Sequence, residues 1–200
     1  RLEFSARSVI TGDTFIDVDE IGVPQEVADK LTKKVRVNRY NIDQMNQSLQ
    51  ENKIKYISKL IGYQDPDEYL DAENIKLEDK KYRMVDPKFN KRKLQIGDIV
   101  HQKLENGDYV LVNRQPSLWK SSIQSMRVKI LPCRTFRLNV EITPCFNADF
   151  DGDEMNIYLP QSEACAGELK YTMHSSEHII NGGAGIVQDS ALAAYFLSLP

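Results

Sequence analysis

The stretch Asn147-Ala148-Asp149-Phe150-Asp151-Gly152-Asp153 sits between two runs of alternating character, and it decides how its surroundings are read. Downstream, Met155, Ile157 and Leu159 alternate with polar residues until Pro160 stops the run. Upstream, Phe136, Leu138, Val140 and Ile142 alternate with Arg137, Asn139 and Glu141. Both patterns have the period of a half-buried strand, so the acidic stretch is expected to be a loop between strands. Three carboxylates at alternate positions in one loop repel one another at neutral pH, and a divalent cation neutralises them. In a curled loop every second side chain can converge on one point, and Gly152 relieves crowding where the backbone turns. Oxygen donors without His or Cys suit Mg²⁺, which keeps open positions for water or phosphate oxygens, as phosphoryl transfer requires. A calcium loop of EF-hand type needs Gly at its sixth position and Glu at its twelfth. Here those positions do not match: Gly152 is fourth and Pro160 twelfth. The remaining alternative is a solvated acidic turn, which the flanking apolar strands and the presence of Ala148 and Phe150 disfavour.

Charge is segregated around this loop. Residues 107–139 carry six cations (Arg114, Lys120, Arg127, Lys129, Arg134, Arg137) against Asp108 alone, whereas residues 141–168 carry seven carboxylates and no Lys or Arg. This reads either as two solvated faces or as a phosphate-binding surface beside a carboxylate cluster for a cation. The net charge of −3 alone says nothing about partners, and 41% apolar with 28% charged residues is ordinary for a soluble globular chain. Cys133, Cys145 and Cys165 form no C-x-x-C pair, so they are expected to be reduced, buried and structural. No apolar run is long enough for a transmembrane helix, and the first residues lack the apolar core of a signal peptide. The chain opens in what reads as mid-strand without Met, and is expected to be an excerpt of a longer protein.

Farther out, residues 1–40 read as short strands and turns, with a short helix at 25–31. Loosely helical spacing runs from Ile42 to Ile61. Residues 63–95 are polar and are expected to be a loop-rich excursion. Residues 99–104 and 109–112 flank Asn106-Gly107, a hairpin signal. Met126, Val128 and Ile130 give another strand. After Pro160, Ser162 can cap a helix carrying Leu169 and Met173, and residues 187–199 read as an Ala-rich buried helix. His174 and His178 have i, i+4 spacing but no clear third ligand, and are expected to be surface residues.

The acidic loop resembles the signature Asn-Ala-Asp-Phe-Asp-Gly-Asp of the largest subunit of cellular RNA polymerases, matching at all seven positions. The likeness continues through RLEFSARSVI at 1–10, DEIGVP at 19–24, VNRYNI at 37–42, GDIV at 97–100, NRQPSLWKSSI at 113–123 and RTFRLN at 134–139. Residues after the loop follow the eukaryotic and archaeal style. The resemblance implies an α+β, mainly β fold. Its core would be a double-psi β-barrel with flanking helices over residues 1–160, with a divergent insert at about 51–93. Residues 161–200 would start a helical pore or funnel region.

The same resemblance implies roles. Asp149, Asp151 and Asp153 would hold a permanent Mg²⁺, and a second Mg²⁺ would arrive with the nucleoside triphosphate, in template-directed transfer to the RNA 3′-hydroxyl by a two-metal mechanism. Arg114 and Asn147 match contacts to the incoming nucleotide's sugar, Gln115 and Pro116 lie near the RNA–DNA hybrid, and Arg7 and Arg1 match template-phosphate contacts. The partners implied are DNA template, RNA transcript, nucleoside triphosphates, the second-largest polymerase subunit and other polymerase subunits, with no membrane, in an intracellular setting: the nucleus for a cellular eukaryotic enzyme, the cytoplasm for an archaeal or viral one. Activity would require the multisubunit complex. Trp119 departs from the family's usual His and cannot titrate or accept a hydrogen bond. The competing readings are an RNA-dependent polymerase of the two-barrel type, against which NRQPSL and FSAR argue, and a non-catalytic nucleic-acid-binding barrel, against which the intact aspartates argue.

Overall fold

The computed structural model describes residues 4–60, 82–85, 87, 94–176 and 188–199. In chain order its elements begin β1 (Ser5–Gly12), β2 (Glu20–Pro24), α1 (Gln25–Ala28), β3 (Thr32–Arg36), α2 (Ile42–Gln50) and β4 (Ile54–Leu60). They continue with β5 (Tyr82–Val85), β6 (Ile99–Lys103), β7 (Tyr109–Asn113), β8 (Ile123–Leu131) and β9 (Phe136–Leu138). The chain ends in α3 (Thr143–Phe146), β10 (Glu154–Tyr158), α4 (Glu163–Tyr171) and α5 (Gln188–Ser198). These fall into two compact units, Arg1–Leu31 with Glu105–Pro200, and Thr32–Leu104.

The first unit is a closed barrel with strand order β1-β10-β7-β8-β2-β9. β2 pairs with β8, and β1 with β9, in parallel, while the other four pairings are antiparallel. This mixed, six-stranded closure is that of a double-psi β-barrel, in an α+β, mainly β fold as expected. The alternation read from the sequence has its consequence here: Ile21 and Val23, Val110 and Val112, Met126 and Val128, Phe136 and Leu138, and Met155 and Ile157 are all buried. Closure leaves no sheet edge within the barrel. In the second unit β3-β6-β4-β5 form an antiparallel sheet. Met45 of α2 packs there with Val37, Ile54, Ile57, Leu94 and Val100.

Four expectations need correction. The strand from Phe136 stops at Leu138, and Val140–Ile142 is a 3₁₀ turn, because the Asn139 side chain accepts the Glu141 N–H and caps it. The helix from Ile42 ends at Gln50. Asn52, in left-handed backbone (φ 57°), closes it with Asn52 N–H on Leu49 C=O and Lys53 N–H on Ser48 C=O, and β4 follows. Asn106-Gly107 is a turn, with Gly107 at φ 87°, but it joins no hairpin: β6 pairs with β3 and β4, and β7 with β8 and β10. The turn instead bonds to β8, through Gly107 N–H on Val128 C=O and Ile130 N–H on the Asn106 side chain. Residues 188–198 are helical as expected, but residues 191–198 are exposed rather than buried, Leu192, Tyr195, Phe196 and Leu197 among them.

Other readings hold. Ser162 caps α4 by accepting the Cys165 N–H, and Leu169 is buried; Met173 lies just past the helix, where its carbonyl accepts the Ser125 N–H. The helix read at 25–31 forms over Gln25–Ala28. Among the described residues no helix is long and apolar enough to cross a membrane.

Candidate active site

The acidic loop leaves α3 and enters β10. Asn147 ends α3 in left-handed backbone (φ 47°), a conformation that Asn tolerates better than most residues. Ala148 N–H bonds the Thr143 carbonyl, and the Asp153 carbonyl accepts the Ile10 N–H from β1. The loop is therefore tied to the end of α3 on one side and to β1 of the barrel on the other. Gly152 has φ 126°, which L side chains rarely adopt, so glycine is required by the backbone there although the space beside it is open.

The three carboxylates converge as the spacing predicts: one oxygen from each of Asp149, Asp151 and Asp153 lies within 4.8 Å of the others. Asp149 and Asp151 are exposed and Asp153 is half-buried. Their electrostatic states differ. Hydrogen-bond contact with the Asp151 carboxyl, and then the other effects of burial and neighbouring negative charge, push the Asp149 carboxyl above its ordinary range. The Arg114 guanidinium, donating from Nε to Asp153 Oδ2 at 2.7 Å, holds Asp153 below that range. The same Oδ2 accepts the Asp149 N–H at 3.2 Å. An oxygen-only triad in which one carboxyl resists ionisation beside another is a set of donors that a hard divalent cation satisfies.

Arg114 is thus placed directly at the triad, at the end of β7. Gln115 and Pro116, joined by a cis peptide bond, follow it and are exposed. Arg7, exposed on β1, donates from Nε to Glu154 Oε2 at 2.8 Å, immediately after the loop. Arg7 and Gln115 also share a cavity of about 350 Å³ with Ser5, Asn113, Asn156 and Tyr158. Asn113 and Asn156 are register partners across β7 and β10, a juxtaposition that their separation in sequence conceals. Asn147 is exposed beside the loop. Arg1 lies outside the described residues. Trp119 and Leu118 are exposed, at 74% and 77%.

One polar cluster was not foreseen. Arg127 on β8 donates to both oxygens of Asp19 (Nε to Oδ2, 2.8 Å; Nη2 to Oδ1, 3.0 Å), and His174 Nε2 lies 3.5 Å from Asp19 Oδ2. The contact with Arg127 holds the Asp19 carboxyl low. His174, expected at the surface, is largely shielded and packs edge-on against Tyr109. His178 lies outside the described residues. Cys133, Cys145 and Cys165 are free thiols, as expected, but only Cys145 is buried, Cys133 and Cys165 being half-buried; burial pushes the Cys145 thiol up.

Comparison with known proteins gives the chain's family. The family described as RNA polymerase Rpb1, domain 2 matches residues 1–175. The DNA-directed RNA polymerase subunit Rpo1N of Thermococcus celer is 39% identical over 203 residues, covering 99% of this chain and 21% of the relative. The DNA-directed RNA polymerase II subunit RPB1-B of Trypanosoma brucei brucei is 40% identical over 203 residues, covering 99% of this chain and 11% of the relative. The chain therefore spans about a fifth or less of the length of these two relatives. With a barrel of this topology, a converged aspartate loop and a family match over most of its length, the chain belongs to the RNA polymerase Rpb1 domain 2 family, that of the polymerase largest subunit.

Proposed function

We propose that this chain is the catalytic segment of a DNA-dependent RNA polymerase and acts in template-directed nucleotidyl transfer. The RNA 3′-oxygen would bond to the α-phosphorus of a nucleoside triphosphate as the bond to the β-phosphate oxygen breaks and pyrophosphate leaves. The observation that carries this reading is the convergence of Asp149, Asp151 and Asp153 in a chain of this family. Their hard oxygen donors fit Mg²⁺. When bound, that ion lowers the pKa of the 3′-hydroxyl and aligns it with the α-phosphate, while a second Mg²⁺ enters as part of the triphosphate substrate.

The chain's own residues hold and orient. The three aspartates supply ligand oxygens and no covalent nucleophile. Arg114 and Asn147 offer guanidinium and amide groups to the nucleotide's 2′-hydroxyl. Arg7, with Arg1, meets template phosphate, and Gln115 and Pro116 face the hybrid; such contacts are salt-sensitive and independent of sequence. The second-largest subunit and other polymerase subunits complete the enzyme, in an intracellular setting.

The test is Asp151→Ala in the assembled polymerase, measuring extension of an RNA primer on a DNA template. Loss of a direct ligand is expected to lower extension by more than the about 10–100-fold typical of outer-shell substitutions, with nucleic-acid binding kept. Unchanged synthesis would leave the non-catalytic barrel as the correct reading.

A further inference from the structure

The guanidinium of Arg114 points at two tasks at once. Its Nε is committed to Asp153 Oδ2 at 2.7 Å, in a pair whose side chains are only 18% and 21% exposed. No other acceptor among the described residues takes a bond from it, so Nη1 and Nη2 remain available beside the loop. On the aspartate side, Oδ2 receives both Arg114 Nε–H and the Asp149 N–H, the second at 3.2 Å. Two donors on one oxygen restrain the rotation of the carboxylate.

We infer that Arg114 is a positioning residue for the ligand Asp153, and that by holding Asp153 with Nε while offering its Nη groups to the nucleotide sugar it couples ion binding to nucleotide binding. The inference rests on the reading of the triad as the ion site. An outer-shell donor that orients a ligating carboxylate contributes about 10–100-fold to metal affinity. The guanidinium also repels a bound cation, which opposes this effect. Asp149 and Asp151 are open to solvent, whose high dielectric weakens that repulsion, whereas the Arg114–Asp153 bond is short and mostly shielded. Orientation therefore outweighs repulsion. Lysine keeps the charge and loses the planar fork, so Arg114→Lys removes the orientation while leaving the repulsion in place.

The experiment uses the assembled polymerase with Fe²⁺ as the probe, held well below saturation of the triad so that the competition midpoint reports Mg²⁺ affinity alone. With ascorbate and peroxide, Fe²⁺ at the triad generates hydroxyl radicals that cut the chain beside residues 149–153, and Mg²⁺ competes it away. Arg114→Lys is expected to raise the Mg²⁺ concentration at half-competition about tenfold. The same variant is expected to lose discrimination between ribo- and 2′-deoxyribonucleoside triphosphates. Asn147→Gly, which removes the sugar-side amide while suiting the left-handed backbone at that position, is expected to lose discrimination with the Mg²⁺ midpoint unchanged. An Arg114→Lys midpoint that is unchanged or lower overturns the inference and leaves Arg114 a sugar contact only. Cleavage beside the loop that persists undiminished in Asp151→Ala would instead overturn the reading of the triad itself, so the two failures are told apart.

Discussion

A Cβ added at Gly22 would stand 2.5 Å from Arg137 Cβ and 2.9 Å from Leu131 Cδ1. The first of these neighbours is anchored to the backbone of β9 and cannot swing aside. Gly22→Ala is therefore expected to destabilise the barrel by about 1–3 kcal/mol, the usual cost of overpacking. Faster hydrogen exchange in β2 and β9 than in the second unit would register it; unaltered exchange would refute it. At this scale the site was partly open to inspection of the sequence. The alternating aspartates announce their convergence because neighbours in a loop meet without help from the rest of the fold. The Arg114–Asp153 bond spans 39 residues and the Asp19–Arg127 pair spans 108, and no local pattern signals either. Arg114 therefore drew notice only through its family motif, and its grip on Asp153 was not legible at all.

Among the elements, those with a local chemical signal were the readable ones. Ser162 announces α4, and Ser162→Ala is expected to cost about 1 kcal/mol, seen as faster exchange of the first amides of α4 with β10 unaffected. The alternating strands of the barrel were equally plain. Failures came where periodicity outlasted the element. Val140 and Ile142 keep the strand rhythm of Phe136 and Leu138, yet the Asn139 side chain bends the backbone first. Ile54 and Ile57 continue the apolar spacing of α2, yet Asn52 has already turned the chain over. Asn106-Gly107 gives the turn correctly, but a dipeptide cannot say which strands will pair across it. That choice belongs to barrel closure, which binds β7 to β8 and β10.

Across the molecule, the two units carry titrating groups with separate pH windows. In the second unit His101 of β6 is buried, hydrogen-bonded through Nε2 to Ser58 Oγ at 3.1 Å and opposite Lys34, and burial followed by the Lys34 charge depresses its pKa. A histidine depressed in the folded state contributes stability above its ordinary pKa of about 6.5, and that contribution is lost as pH falls through the folded value. In the barrel, Asp19 is depressed by Arg127, so its contribution stands above the ordinary carboxylate value of about 3.9 and is lost only at lower pH. Acidification from pH 7 is thus expected to lower the exchange protection factors of β4 and β6 first and of β2 and β8 later. Simultaneous loosening would refute the assignment. The barrel also governs how the aspartate loop tolerates change. The restraints at Ile10 N–H and Thr143 C=O belong to the polypeptide backbone, present whatever side chains occupy those positions. Mutational drift in β1 and α3 can consequently rewrite composition without unmooring the loop, so long as position 10 keeps an amide proton and never becomes proline.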